Sequence, residues 1–294
     1  MFNVPVSFLF DFGHVSETMR PYIMAEFAAA GAKHLVLTCT FIKDIINQSG
    51  LEDTLLKEMA DNGLSFCDAH APFGAALDLN CPWENKRRIM LERLKLALEI
   101  CSYMKVDTIA LHVGNNHFEG ASHIPDDLHI NRMKEALSQI LPTAEKLGIT
   151  LCIENIWFSV NTPDVLNDIK RDFPTPYLGF CYDSGHANIM DNGRLQTSGA
   201  AWNGWNASGK DTPIWEDKAL EKMLPHIVNC HLHDNNGIVD EHTNPGKGNI
   251  NWSHTIKLLK SAPRLKVIQS EVIPVKSGIF IKEMVDKFNE LGDL

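Results

Sequence analysis

The feature that most constrains this chain is a rhythm. Short β-rich runs alternate with longer helical stretches throughout: VPVSFLF (4–10), HLVLTC (34–39), LSFCDAH (64–70), TIALHVG (108–114), ITLCIEN (149–155), LGFCYDS (178–184), IVNCHLHD (227–234) and KVIQSEV (266–272). Eight is the number of strands a closed parallel barrel needs, and 294 residues is an ordinary length for one. The fold predicted is α/β, a single (β/α)8 TIM-barrel domain over 1–294. An open doubly wound sheet alternates in the same way, but no Gly-rich phosphate fingerprint follows the first run.

Between the runs, apolar residues recur at the helical period, as in Met90, Leu94, Ala97 and Cys101, or Ile130, Met133, Leu137, Ile140, Ala144 and Leu147. These stripes should pack on the barrel exterior. Gly31, Gly63 and Gly148 each close a helical stretch before a strand, and Thr162-Pro163 reads as an N-cap followed by a first-turn proline. One stretch breaks the rhythm. Residues 187–216 are rich in Gly, Asn and Ser and read as an inserted loop, yet they carry Trp202, Trp205 and Trp215. Such aromatics suit a lid over the site or a contact in a homo-oligomer.

Composition narrows the partners. A formal net charge of −10, with no block of five Lys/Arg, disfavours a phosphate backbone and hence nucleic acid. The absence of an eighteen-residue apolar run or a signal-like start predicts a protein that is soluble, cytoplasmic and not bound to membranes. The seven cysteines include no C-x-x-C pair, and Cys39, Cys67, Cys152, Cys181 and Cys230 fall in strand-like runs, where they should be reduced and buried.

The chemistry lies at the strand ends. His70, His112, Glu154, Asp183, His231 and Glu271 each close a β-rich run, and in a parallel barrel these ends converge on one mouth. Any one of them alone reads best as a satisfied structural residue. Together, crowded carboxylates and imidazoles need a counter-charge, which a divalent cation supplies. His186, His233, Asp240 and His242 add further ligand types, and position alone leaves the choice between His231 and His233 open. Mixed imidazole and carboxylate donors suit Zn2+, Mn2+, Co2+ or iron better than calcium, and carboxylate-rich sites admit Mg2+ or Mn2+.

The segments H-A-P-F (70–73), H-V-G (112–114), I-E-N (153–155), Y-D-S-G-H-A-N (182–188), H-L-H-D-N-N-G (231–237), D-E-H (240–242) and P-G-K-G-N-I-N-W (245–252) resemble, in order and spacing, the xylose-isomerase-like barrel superfamily of sugar and sugar-phosphate isomerases, ketose epimerases and endonuclease IV. In its isomerase and epimerase branch the resemblance implies one divalent metal on Glu154, Asp183, His231 and Glu271. His231 is preferred to His233 because the family's strand-seven ligand stands three positions before an acidic residue, here Asp234. The endonuclease IV pattern implies further ligands at His70, His112, His186, Asp240 and His242, so the count runs from one to three ions. Departures from these patterns are an acidic chain, a short loop from His231 to Asp240, and Val160 and Gly237 where ketose 3-epimerases carry polar contacts.

The expected function is a metal-dependent isomerase or epimerase of a small carbohydrate, working through an enediolate, with Glu154 and Glu271 as the catalytic acid and base. His70, His112, His186, Trp157 and Lys247 are the substrate-binding candidates. Lys247, within PGKG, could help cradle an anion, although such a loop is more often a turn. The alternatives are a multi-zinc phosphoester hydrolase and a metal-dependent dehydratase or lyase. A barrel that only binds a sugar or a protein would lack ligands, and none is absent.

Overall fold

The computed structural model describes residues 2–10, 13, 15–115 and 124–294. Eight parallel strands close in sequence order: β1 (Val6–Phe8), β2 (His34–Leu37), β3 (Ser65–His70), β4 (Thr108–Leu111), β5 (Thr150–Glu154), β6 (Leu178–Asp183), β7 (Ile227–Leu232) and β8 (Val267–Ser270). Each lies within one of the eight runs read from the sequence. Closure is made by β8 on β1, with Val6 opposite Ile268, Ser7 opposite Gln269 and Phe8 opposite Ser270. The chain is therefore a TIM barrel.

The helical stripes pack as their period demands. Met90, Leu94, Ala97 and Cys101 on the helix Glu84–Tyr103 are buried, as are Met133, Leu137, Ile140 and Ala144 on the helix Asp126–Leu147. Gly31, Gly63 and Gly148 all adopt positive φ, which an L side chain would resist at these helix-to-strand turns. The helix Pro163–Asp172 starts as its sequence requires. Thr162 accepts a hydrogen bond from the Val165 amide, and Pro163 fills the first helical position.

Inside the barrel, alternate residues of a strand point the same way, so the residue two before each mouth residue lies one layer deeper. That layer contains Asp68, Cys152, Cys181, Asn229 and Gln269, all fully buried. It is far more polar than the Val, Ile and Leu that dominate most barrel interiors. Asn229 reaches from β7 to donate to Asp68 of β3 at 3.4 Å, and burial pushes the Asp68 carboxyl up to about 6.

Two readings of the sequence change. Residues 187–216 are not an irregular loop. Ser184–Asn192 continues from β6 as a helix, and Ala200–Ala207 forms a second one. Tertiary packing overrides the weak propensity of Gly and Asn here, because Ile189, Met190, Ala201 and Trp205 build a small apolar core of their own. Cys39 begins the helix Cys39–Asn47 instead of lying in a strand, and both it and Cys67 are only half-buried. All seven cysteines are free thiols. No helix among the described residues is long and apolar enough to cross a membrane.

Replacing Thr162 with Ala removes the side-chain N-cap of the helix Pro163–Asp172 and should cost about 1 kcal/mol of stability. Urea unfolding would read this as a lower midpoint at an unchanged slope, and an unaltered midpoint would refute the capping role.

Candidate metal centre and active-site mouth

Glu154 is the hub. It ends β5 fully buried, and its Oε2 lies 3.8 Å from His70 Nε2, 3.6 Å from His112 Nε2 and 3.4 Å from His231 Nδ1. His231 Nδ1 is in turn 3.3 Å from Glu271 Oε1 and 3.9 Å from Asp183 Oδ2. Nearby, His186 Nε2 and His242 Nε2 approach Asp240 Oδ2 at 3.5 and 2.9 Å. The barrel thus brings together every strand-end residue named from the sequence, with His186, Asp240 and His242 beside them.

Backbone contacts set the imidazole tautomers. The Nδ1 atoms of His70, His186 and His242 lie 2.8, 2.9 and 2.8 Å from the carbonyl oxygens of Ala71, Asn155 and Glu271. A carbonyl only accepts, so each Nδ1 carries the proton and donates it. In the neutral ring that leaves an Nε2 lone pair, aimed in every case at a carboxylate oxygen. Lone pair facing carboxylate is repulsive unless a cation or a proton stands between them. Donors held at roughly 2.0–2.2 Å from one cation lie about 3–3.6 Å apart, which matches most of these separations. Glu154 Oε2 and both ring nitrogens of His231 are buried without a hydrogen-bond partner among the described residues. The donor set therefore fits a divalent cation.

The field at the mouth is negative. Burial works against charge on Glu154, but His231 and His112 override it and hold the carboxyl well below its usual range. Glu271 goes the other way, raised well above its usual range by burial and then by Asp183 and Glu154. Burial likewise opposes charge on His186, yet Asp183 and Asp240 raise it well above the ordinary imidazole value. His70, buried and beside His112, falls to about 3.

Local sequence explains why these groups hold still. Asp183 ends β6 and caps the following helix, its Oδ1 accepting from the His186 amide at 2.6 Å. That places its charge at a helix N-terminus, where it is favoured. Asn155 ties β5 to β6, accepting from the Asp183 amide at 2.8 Å and donating to the Asp183 carbonyl at 3.0 Å. His242 sits at φ 51°, a conformation costly for a residue with a side chain, which marks it as a residue its surroundings force into place.

Two functional groups were underweighted by the sequence. His233, passed over in favour of His231, is fully buried in the same cluster, with Nε2 3.2 Å from Asp183 Oδ2 and its ring stacked on His242 at 4.1 Å. Gly185 makes room for it, since a Cβ there would lie 2.0 Å from His233 Cε1. Asn155 stood in the I-E-N segment, but nothing in the sequence revealed its pairing with Asp183.

A cavity of about 440 Å³ opens above the cluster. Phe73 forms one wall, packed edge-on against His70 and tilted over His112. Trp157 also lines the cavity, edge-on to His186 at 4.8 Å. The helix Ala200–Ala207 buttresses that side, where Trp205 Nε1 donates to the Trp157 carbonyl at 2.8 Å. Of the inserted tryptophans, Trp205 therefore supports the mouth.

Lys247 lies elsewhere. It lines a separate cavity with Phe280, Lys282 and Glu283, is exposed, and stands 3.9 Å from Glu283. The PGKG turn does embrace an anion, but an internal one. The Gly246 amide and Trp252 Nε1 both donate to Asp234 Oδ2 at 2.8 Å. Asp234 is thus the structural anchor of the loop that carries Asp240 and His242.

Residues 24–268 match the family described as xylose isomerase-like TIM barrel. In sequence the chain is 28% identical over 228 residues to an uncharacterized protein of Methanocaldococcus jannaschii, covering 76% of this chain and 69% of that protein. In fold it is similar to a D-tagatose 3-epimerase-like protein, with TM-score 0.71, 23% identity, and coverage of 98% and 99% of the two chains. It is also similar to the IOLI protein with a binding zinc atom, with TM-score 0.69, 15% identity, and coverage of 97% and 96%. At these identities the two structural likenesses establish the fold.

A Gly185→Ala exchange would drive a methyl group into the His233 ring. The expected result is a destabilisation of about 1–3 kcal/mol together with weaker zinc binding in a chelator competition. Wild-type stability and affinity would show that His233 has no built seat.

Proposed function

We propose that this chain, which belongs to the xylose isomerase-like TIM-barrel family, is a divalent-metal-dependent isomerase or epimerase of a small carbohydrate. The observation that carries this reading is the pair of carboxylates flanking His231, with Glu154 at 3.4 Å and Glu271 at 3.3 Å from the same ring nitrogen. Moving a proton between carbons, or between the faces of one carbon, takes a group that accepts it and a group that returns it. Two buried carboxylates at one locus suit those roles.

A divalent cation held by Glu154, Asp183, His231 and Glu271 would supply Lewis-acid polarisation of a substrate carbonyl and hydroxyl. Glu154 accepts the proton from the carbon beside the carbonyl. Glu271, on the other side of His231, returns one. Phe73 and Trp157 present apolar faces to the ring or chain of the sugar and keep water from the enediolate while it exists. His186 and His112, both at the cavity wall, are placed to orient hydroxyl groups.

A second reading rests on the number of donors. His70 and His112 around Glu154, and His186 and His242 around Asp240, are ligand types beyond what one cation takes up. Several metals would suit phosphoester hydrolysis, with clustered cations activating water and clamping the leaving oxygen. The net charge of −10 favours a small substrate over a nucleic acid.

Elemental analysis separates the two readings. One tightly held divalent cation per chain is the expected result for isomerisation or epimerisation, whereas three zinc ions would favour hydrolysis. Full activity in chelated, metal-free protein would overturn both. Glu154→Gln and Glu271→Gln should each lower kcat on a ketose substrate by about 10²-fold or more with the circular-dichroism spectrum unchanged. Near-normal turnover in either variant, at normal metal content, would remove that residue from the proton transfer.

A further inference from the structure

Beneath the metal cluster the barrel carries polar groups that the proposed chemistry does not use. β3 and β7 stand opposite each other in the closed order of eight strands. At the mouth they meet as His70 and His231, whose rings stack with centroids 5.5 Å apart. One layer deeper the same two strands meet again, where Asn229 Nδ2 donates to Asp68 Oδ2 at 3.4 Å. Asp68 therefore lies under the His70 and His231 pair, and it is as fully buried as His231. Several atoms of this layer have no hydrogen-bond partner among the described residues: Asp68 Oδ1, Asn229 Oδ1, both ends of the Gln269 amide, and the hydroxyl of Ser7, which stands opposite Gln269 in the pairing of β1 with β8. A polar atom cut off from solvent and left unpaired costs about 1–3 kcal/mol, and folded proteins meet such groups with buried water.

His231 poses the matching problem from above. His70, His186 and His242 each give an Nδ1 proton to a backbone carbonyl, but neither nitrogen of His231 has a partner among the described residues. Its Nδ1 is the atom turned to Glu154, Glu271 and Asp183, at 3.4, 3.3 and 3.9 Å. The two nitrogens of an imidazole point away from each other, so Nε2 is directed away from those carboxylates. Nδ1 can offer a lone pair to a cation only in the tautomer that keeps the proton on Nε2, and a buried N–H needs an acceptor. Burial works against charge on Asp68, while Ser7 and then His231 work for it, so both lie within electrostatic reach of its carboxyl.

We infer that Asp68 is a positioning residue of the metal centre: a buried water bridges the Nε2 proton of His231 to Asp68 Oδ1, which fixes the His231 tautomer and commits Nδ1 to the cation. This rests on the metal reading above and adds a residue that touches neither metal nor substrate. Asn229 holds the carboxylate by its other oxygen. Gln269, in the same layer, can both donate and accept and offers the water further partners. A carboxylate standing behind a ligating imidazole fixes the ring and makes it a stronger donor to the metal. Three of the mouth histidines are thus oriented by the backbone, and His231 is oriented from below.

The test titrates Co2+ into chelator-treated protein and reads both the affinity and the visible absorption of the bound ion. Asp68→Asn keeps the shape and one accepting oxygen without the charge, whereas Asp68→Leu accepts nothing. Affinity should fall in the order wild type, Asn, Leu, by roughly tenfold for Asn and up to about 100-fold for Leu, with a shifted Co2+ spectrum in the Leu variant. Wild-type affinity and spectrum in both variants, even at a lowered Tm, would reduce Asp68 to packing and overturn the inference. Should the Leu variant fail to fold, the Asn variant decides by the same criterion. A crystal structure of the zinc-loaded wild type adds a readout free of substitutions. It should show His231 Nδ1 on the metal and a water within hydrogen-bond distance of both Nε2 and Asp68 Oδ1, and ligation through Nε2 or the lack of that water would overturn the bridge. If the wild type takes up neither Co2+ nor zinc, the metal reading falls and this inference with it. If it binds metal and the Asp68 variants match it, only this inference falls.

Discussion

The structure depends on one electrostatic problem, the burial of Glu154, Asp183 and Glu271 together at the end of a barrel. Carboxylates removed from water cost several kcal/mol each unless positive charge or hydrogen bonds replace the solvent. The protein answers with imidazoles aimed at every one of them. Glu154 Oε2 alone faces His70, His112 and His231. Three of the histidines are locked by their Nδ1 protons on backbone carbonyls, so their free nitrogens point inward together. Such an arrangement is stable around a cation and frustrated without positive charge.

The scaffold supplies the rigidity that this demands. Asn155 stitches the ends of β5 and β6, and the helix after β6 draws on the Asp183 carboxylate for its cap. Asp234 gathers the loop that returns Asp240 and His242 to the mouth. Most of these hydrogen bonds go to backbone amides or carbonyls, with the side chains of His233 on Asp183 and Trp252 on Asp234 as additional partners. The carboxylates at the mouth can therefore keep their remaining lone pairs directed at the site. The inserted helix Ala200–Ala207 plays the same supporting part for Trp157.

Much of this was legible in the sequence, for reasons that differ from element to element. Strand runs announce themselves through β-branched and aromatic content, and helices such as Asp126–Leu147 through a period that burial later reproduces. The Thr162 cap and the glycines at 31, 63 and 148 are local backbone chemistry and carry over directly. Residues 187–216 misled because composition reports propensity, while their helices are held by the apolar contacts of Trp205, Ile189 and Met190 with one another. Lys247 misled similarly, since a glycine-flanked lysine looks like an anion cradle until Asp234 is seen to occupy it.

What the sequence by itself determined is the eightfold alternation, and with it the convergence of His70, His112, Glu154, Asp183, His231 and Glu271 on one mouth. Parallel strands closing in order leave their carboxyl ends no other place to go. What only the tertiary structure decided is direction and distance. It brings His233 into the cluster beside His231, pairs Asn155 with Asp183, sends Lys247 to a different cavity, and sets Asp68 against Asn229 across the barrel. Those facts join residues tens of positions apart in the chain. They follow from the curvature of the closed sheet and the rotamers its packing permits, and no local pattern of residues encodes either.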